Sequence, residues 1–120
     1  MGSHHTLISK GTRIVGDVHF TGELNVEGQL VGNIIADNNS ELLISQSGRI
    51  EGQIQAPKVI VRGLVQGDIR CTKHLELGAT AVVNGNVFYT LIEMVKGSQV
   101  NGSLVYVNEA EGKKKAAGSA

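Results

Sequence analysis

Few side chains in this 120-residue chain can do chemistry. Histidine occurs at positions 4, 5, 19 and 74, cysteine only at 71, and Lys113, Lys114 and Lys115 run together near the C-terminus. Metal-assisted hydration would need three histidines converging on one ion. Here His4 and His5 are adjacent at the N-terminus, and His19 and His74 each stand alone. A general base for acyl transfer would have to be His19 or His74, and each reads as an exposed strand or corner residue. A nucleophilic Cys71 would need an electropositive, partly exposed setting. No Walker loop or dinucleotide fingerprint occurs, so no cofactor is expected and nucleotide-driven assembly is unsupported. The three lysines read as part of a solvated tail. The alternative is a weak attraction to anionic lipid or an acidic partner, at about 1 kcal/mol per lysine. Met1-Gly2 with Thr6 matches the N-myristoylation pattern.

Composition narrows the scaffold that must position these groups. Lys plus Arg total 11 and Asp plus Glu total 11, so the formal net charge is zero. Nucleic acid is thereby disfavoured as a partner, because binding it relies on a basic surface that releases counterions from phosphates. No apolar run reaches the roughly 18–20 residues needed to span a bilayer. One cysteine excludes an intramolecular disulfide and fits a reducing compartment. Glycine is abundant at 16 residues, while Trp is absent and Phe and Tyr number 2 each, so a core must come from Val, Ile and Leu.

An internal repeat decides the fold. The pentapeptide apolar-x-Gly-x-apolar recurs around Gly16, Gly32, Gly52, Gly67, Gly85 and Gly102, at spacings of 16, 20, 15, 18 and 17 residues. Upstream of successive copies sit alternating pairs: Leu24/Val26, Leu42/Ile44, Val59/Val61, Leu75/Leu77 and Ile92/Met94. Each period thus holds about three short strands whose alternate side chains point inward. A unit of this length cannot bury its own apolar face, but stacked on copies of itself it can. The expected fold is all-β: a single-stranded parallel β-helix of about six turns, each with three short strands. One inward column would be Ile14, Leu30, Ile50, Val65, Val83, Val100, and another Val18, Ile34, Ile54, Ile69, Val87, Leu104. Cys71 falls in an inward column with Ala36 and Ala56, as a small buried hydrophobe. Beside the glycines runs a polar column, Asp17, Asn33, Gln53, Asp68, Asn86 and Ser103, whose amides could form a ladder. A β-sandwich is the rival, but it predicts alternating hairpin signals, and strong Asn-Gly or Asp-Gly turns do not stand at each strand junction.

The expected organisation is a flexible N-terminal segment over 1–8, a β-helix over 9–107 and a disordered polar tail over 108–120. Met1-Gly2-Ser3-His4-His5 also has the composition of a purification-tag remnant. Neither terminus shows an amphipathic helix to close an end of the rod, and open ends are a template for end-to-end stacking. Ile35, Phe88 and Val105 fall on outward positions. Phe88, Tyr89, Leu104, Val105 and Tyr106 are therefore the candidate contact at the C-terminal end. Ile14, Val18 and Phe20 are the candidate contact at the N-terminal end. The inward column is graded, with aromatics towards both ends and Ala and Cys in the middle, as expected of plugs in a narrow core.

The opening Ile8-Ser9-Lys10-Gly11-Thr12-Arg13-Ile14-Val15-Gly16-Asp17-Val18 resembles the bactofilins. So do Leu24-Asn25-Val26-Glu27-Gly28-Gln29-Leu30-Val31-Gly32-Asn33-Ile34 and Val59-Ile60-Val61-Arg62-Gly63 with Val65-Gln66-Gly67-Asp68-Ile69. The resemblance covers about Leu7 to Val107. It implies a right-handed β-helix that polymerises without nucleotide into non-polar filaments, like end to like end. It also implies a cytoskeletal role in bacterial cell shape or polar organisation. The implied place is the cytoplasm, at the inner face of the cytoplasmic membrane. The implied partners are the protein itself, cell-wall enzymes and membrane-associated proteins. Family members often carry a short apolar N-terminal membrane segment, whereas here that stretch is only Met-Gly-Ser-His-His-Thr-Leu-Ile, so membrane association would be weak or indirect. A bacterial family also makes the myristoylation match accidental.

Two other functions compete with a non-catalytic filament. One is a monomeric β-helix adaptor that presents a flat face to a cell-wall enzyme. The other is a hexapeptide-repeat transferase, suggested by six-residue spacing such as Val59, Val65, Cys71, Leu77, Val83, Tyr89. The small residues expected beside each hexad aliphatic are mostly missing. Turn lengths of 15 to 20 residues also suit a right-handed coil better. His19 and His74 lie on turns too far apart to act together.

Overall fold

The computed structural model describes residues 5–107. The expected tail over 108–120, with Lys113 to Lys115, and the residues before His5 lie outside them. Sixteen β-strands and no helix make up the described chain. All paired strands run parallel, which replaces the sandwich alternative by a parallel β-solenoid of about six turns.

Three strands make each turn, and strands at equivalent positions stack into three faces. The first face is β1 (His5–Ile8), β4 (Glu23–Val26), β7 (Glu41–Ile44), the later part of β9 (Ile54–Val61), the later part of β11 (Ile69–Leu77) and β14 (Ile92–Met94). The second is β2 (Arg13–Val15), β5 (Gln29–Val31), β8 (Arg49–Glu51), β10 (Leu64–Gln66), β12 (Val82–Asn84) and β15 (Gln99–Asn101). The third is β3 (Val18–Phe20), β6 (Ile34–Ala36), the early parts of β9 and β11, β13 (Val87–Tyr89) and β16 (Leu104–Tyr106). β9 and β11 each turn a corner without leaving the sheet, and a register shift between Cys71 and His74 marks the second corner.

The strands form where alternation puts one apolar face inward, so the inward columns are the core. Leu30, Ile50, Val65 and Val83 stack in register on the second face, all fully buried. Ile34, Ile54, Ile69 and Val87 do the same on the third, and Leu24, Leu42, Val59 and Leu75 on the first. Burying a column of such side chains contributes roughly 1.5–3 kcal/mol apiece. The solenoid is therefore held by its interior rather than by any single turn.

The repeat glycine has a specific reason. Gly32 and Gly67 adopt φ of 149° and 146°, a region that side chains rarely enter. A Cβ on Gly32 would also strike the carbonyl of Gly16, and one on Gly67 the carbonyl of Gly52. Glycine lets the chain turn while the coils stay at sheet spacing, roughly 4.8 Å.

One boundary is corrected. The coil already includes His5–Ile8, ahead of the expected start at residue 9, because His5, Thr6, Leu7 and Ile8 pair with Glu23, Leu24, Asn25 and Val26. Ile8 is buried against the second turn, and this anchors the strand.

Candidate functional site

The grooves of the surface hold little reactive chemistry. A groove of about 220 Å³ on the third face is lined by residues that include Ile35, Gln53, Gln55, Arg70 and Phe88. The guanidinium of Arg70 lies 4.5 Å from the Phe88 ring centroid, a cation–π contact. Among the described residues, no group of three or more His, Cys, Asp or Glu is placed to hold a metal ion.

Each described histidine instead faces an acid on the neighbouring turn. His5 Nδ1 lies 2.8 Å from Glu23 Oε1, and His19 Nε2 2.8 Å from Asp37 Oδ1. His74 Nε2 sits 3.5 Å from Glu93 Oε1, too long for a good hydrogen bond. Thr21 Oγ1 donates to the other oxygen of Asp37 at 2.6 Å. The Thr21 and His19 hydrogen bonds lower the Asp37 pKa below the ordinary carboxylate value. His19 is on the first turn and His74 on the fifth, as two separate pairs.

Cys71 is buried among the core side chains, with its thiol 3.2 Å from the Pro57 carbonyl and 3.0 Å from that of His74. Burial pushes its pKa up to about 11, despite backbone hydrogen bonds that act the other way. A thiol held neutral is a poor nucleophile.

The polar column forms a ladder, but not of amide on amide. Asp17 accepts from the backbone N–H of Asn33, and Asn33 from that of Gln53. Asp68 accepts from Asn86 N–H, and Asn86 from Ser103 N–H. Each side chain thereby satisfies a corner donor of the following turn, a structural task.

What remains is at the two ends. β1, β2 and β3 each pair on one side only, with β4, β5 and β6. β14, β15 and β16 likewise pair only with β11, β12 and β13. Among the described residues nothing covers the outer edges of these terminal turns. Side chains that are buried in the middle turns become accessible there. Leu104, in the column of Ile69 and Val87, is 44% exposed, and Tyr106 is 60% exposed.

The sequence-derived site residues divide by turn. Leu104, Val105 and Tyr106 form β16, on the outermost turn. Phe88 and Tyr89 are on β13, one turn inside, in register with Val105 and Tyr106. Tyr89 packs against the core and meets Tyr106 edge to face, with centroids 6.0 Å apart. At the other end Ile14, Val18 and Phe20 are half-buried on the first turn, packed against the core.

Other apolar residues at the same ends are exposed without having been expected to be, Met94 having been placed in the alternating pair Ile92/Met94. Leu7 and Val15 belong to the first turn, and Leu91, Met94 and Val95 to the last. Val15 carried a signal: its position within the pentapeptide is filled by Glu51, Gln66, Asn84 and Asn101 in the last four copies. Leu91 and Val95 border strand β14 and follow no alternation.

Among the described residues there is no helix long and apolar enough to cross a membrane. Neither the curated proteins nor the solved structures gave a match. A family model, described as "Bactofilin: Polymer-forming cytoskeletal", matches residues 6–105, which is almost the whole solenoid. With glycine-cornered coils, one-sided terminal strands and that match together, the chain belongs to the bactofilin family of polymer-forming cytoskeletal proteins.

Proposed function

We propose that the protein is a non-catalytic scaffold whose solenoids join end to end, without nucleotide, into non-polar filaments. The observation that carries this reading is the pair of one-sided terminal turns. Each presents strand edges and apolar side chains that a second copy could cover, with the strands of the two copies running antiparallel across a like-to-like joint. Leu104, Val105 and Tyr106, backed by Phe88 and Tyr89, would make the C-terminal contact, and Ile14, Val18 and Phe20 the N-terminal one. Like-to-like joining at both ends makes every interface two-fold symmetric and leaves the filament without polarity. A hydrophobic, β-augmenting contact needs no triphosphate to drive it. This fits the role in cell shape or polar organisation that the family resemblance implies, in the cytoplasm at the inner face of its membrane. Cell-wall enzymes or membrane-associated proteins would be the clients.

Electron microscopy of the purified protein in nucleotide-free buffer tests the reading. Long filaments are expected from the unaltered chain, and short soluble species from Leu104→Glu. Monomers alone from the unaltered chain would leave the adaptor reading in its place. Unchanged filaments from Leu104→Glu would remove β16 from the contact.

A further inference from the structure

We propose that the first face binds the same face of a second copy, with the two solenoids side by side and antiparallel. Lys58 of each molecule then faces Glu41 of the other, with Glu23 one turn away. The inference concerns the flank of the rod and goes beyond the end-to-end reading.

The argument begins from an unfavourable arrangement within one molecule. Glu23 and Glu41 lie directly opposite each other on β4 and β7; Glu23 meets His5 on its other side, whereas Glu41 has no cation partner among the described residues. Like charges in that relation destabilise a sheet. The two carboxylates border a hollow of about 110 Å³ floored by Leu24 and Asn25 and edged by Leu43. The next residue in the same column is Lys58, exposed and in register with Glu41. No ion pair between Glu41 and Lys58 forms among the described residues. Beside them, Leu43 and Ile60 form the outward apolar pair of the two middle turns, both half-buried.

A two-fold axis in the plane of this face, parallel to its strands and between the third and fourth turns, reverses the solenoid axis. It exchanges the third turn with the fourth and the second with the fifth. Lys58 of one copy then faces Glu41 of the other, next to Glu23. Leu43 faces Ile60, and the symmetry supplies both contacts twice. His74 comes opposite Glu23, but its imidazole already faces Glu93 in its own chain. At the extremities Leu7 comes opposite Glu93, so the contact is confined to the middle turns. Such a patch holds a lone pair of molecules weakly, so isolated solenoids pair at high protein concentration. Repeated along two polymers it gains by multivalency. Alternating solenoid directions in a non-polar filament would present antiparallel neighbours along the whole length.

The test uses two full-length variants, Glu41→Lys and Lys58→Glu, both at surface positions, with circular dichroism to verify folding. In low salt the unaltered protein is expected to form side-by-side pairs or sheets that loosen as salt rises. Each variant alone is expected to lose lateral pairing while keeping single-filament length. Mixing preassembled filaments of the two variants should restore pairing, because each supplies the charge that the other lacks. A charge contact within one chain could not be repaired by mixing. Lateral pairing retained by either variant, its absence from the unaltered protein, or failure of the mixture to pair would overturn the proposal. If no filaments form at all, sedimentation reads the same contact: dimers for the unaltered chain and the mixture, monomers for each variant. That result would sink end-to-end assembly and leave this contact standing, whereas monomers throughout would sink both.

Discussion

The middle and terminal turns are built from the same repeat, yet the same column position has opposite environments in the two. On the third face Ile34, Ile54, Ile69 and Val87 are sealed, while Leu104, next in line, is open to solvent. On the second face Leu30, Ile50, Val65 and Val83 are sealed, and Ile14 and Val100 at its ends are only half-buried. Nothing in residue type separates these groups; the difference is the missing next coil. In a solenoid, then, burial is a property of having neighbours on both sides, and an end is a core position awaiting its other half.

The sharpest way to break that comparison is a charge placed in each region. Ile69→Glu should cost more than about 4 kcal/mol, since it buries an unpaired carboxylate, and the chain should fail to fold. Leu104→Glu should cost about 1 kcal/mol in the monomer and act on assembly instead. Urea denaturation of both variants decides it, and equal losses of stability would dissolve the distinction between middle and end.

A second comparison uses the repeat glycine. Gly67→Ala should cost about 3–5 kcal/mol, because the new Cβ meets the Gly52 carbonyl at a positive φ. Gly16→Ala should cost only about 1–3 kcal/mol, the backbone strain alone, because nothing lies within 4 Å of its Cβ. Melting temperatures of the two variants would rank them.

Titration separates the regions as well. The Cys71 pKa is raised from 9.0 to about 11 in the folded middle turns. Its contribution is fully present below about pH 9 and is lost as pH rises towards 11, by about 3 kcal/mol in all. Urea midpoints between pH 8 and 11 should fall accordingly, and Cys71→Ala should flatten the slope. The smallest effect is expected at the N-terminal end. The Asp37 pKa is lowered, so its contribution is present above the unfolded value of about 3.9 and is lost as pH falls through the folded value beneath it. Amide protection in β3 should weaken there before that in β11, and Asp37→Asn should remove the step.

The sequence made the solenoid legible because six glycine-centred pentapeptides keep their apolar residues in phase. The predicted columns through Ile50, Val65 and Ile54, Ile69 are the columns found. The starting strand was hidden because β1 is supported from one side and buries only Ile8, so its alternation is weak. The polar ladder was legible as a column but not as a mechanism. Residue type does not say whether Asn33 will bond another side chain or, as it does, the N–H of Gln53. Acid partners for His19 and His74 were likewise out of reach, since Asp37 and Glu93 lie 18 and 19 positions along the chain. The stacking of Tyr106 on Tyr89 was legible from their shared phase in the repeat. Leu91 and Val95, flanking β14, follow no period that could have exposed them.

The uneven turns carry a practical consequence. Between Gly32 and Gly52 the coil is longest, and part of its extra length sits in the corner Asp37-Asn38-Asn39-Ser40, where Asn39 takes φ of 65° and Ser40 is buried as an anchor. Beyond that anchor the strands resume their pairing with the previous coil as if nothing had been added. The corner between Asn38 and Asn39 is thus a graft point: a fluorophore-bearing insert placed there would decorate the outside of the rod at a fixed height while leaving both tips unlabelled.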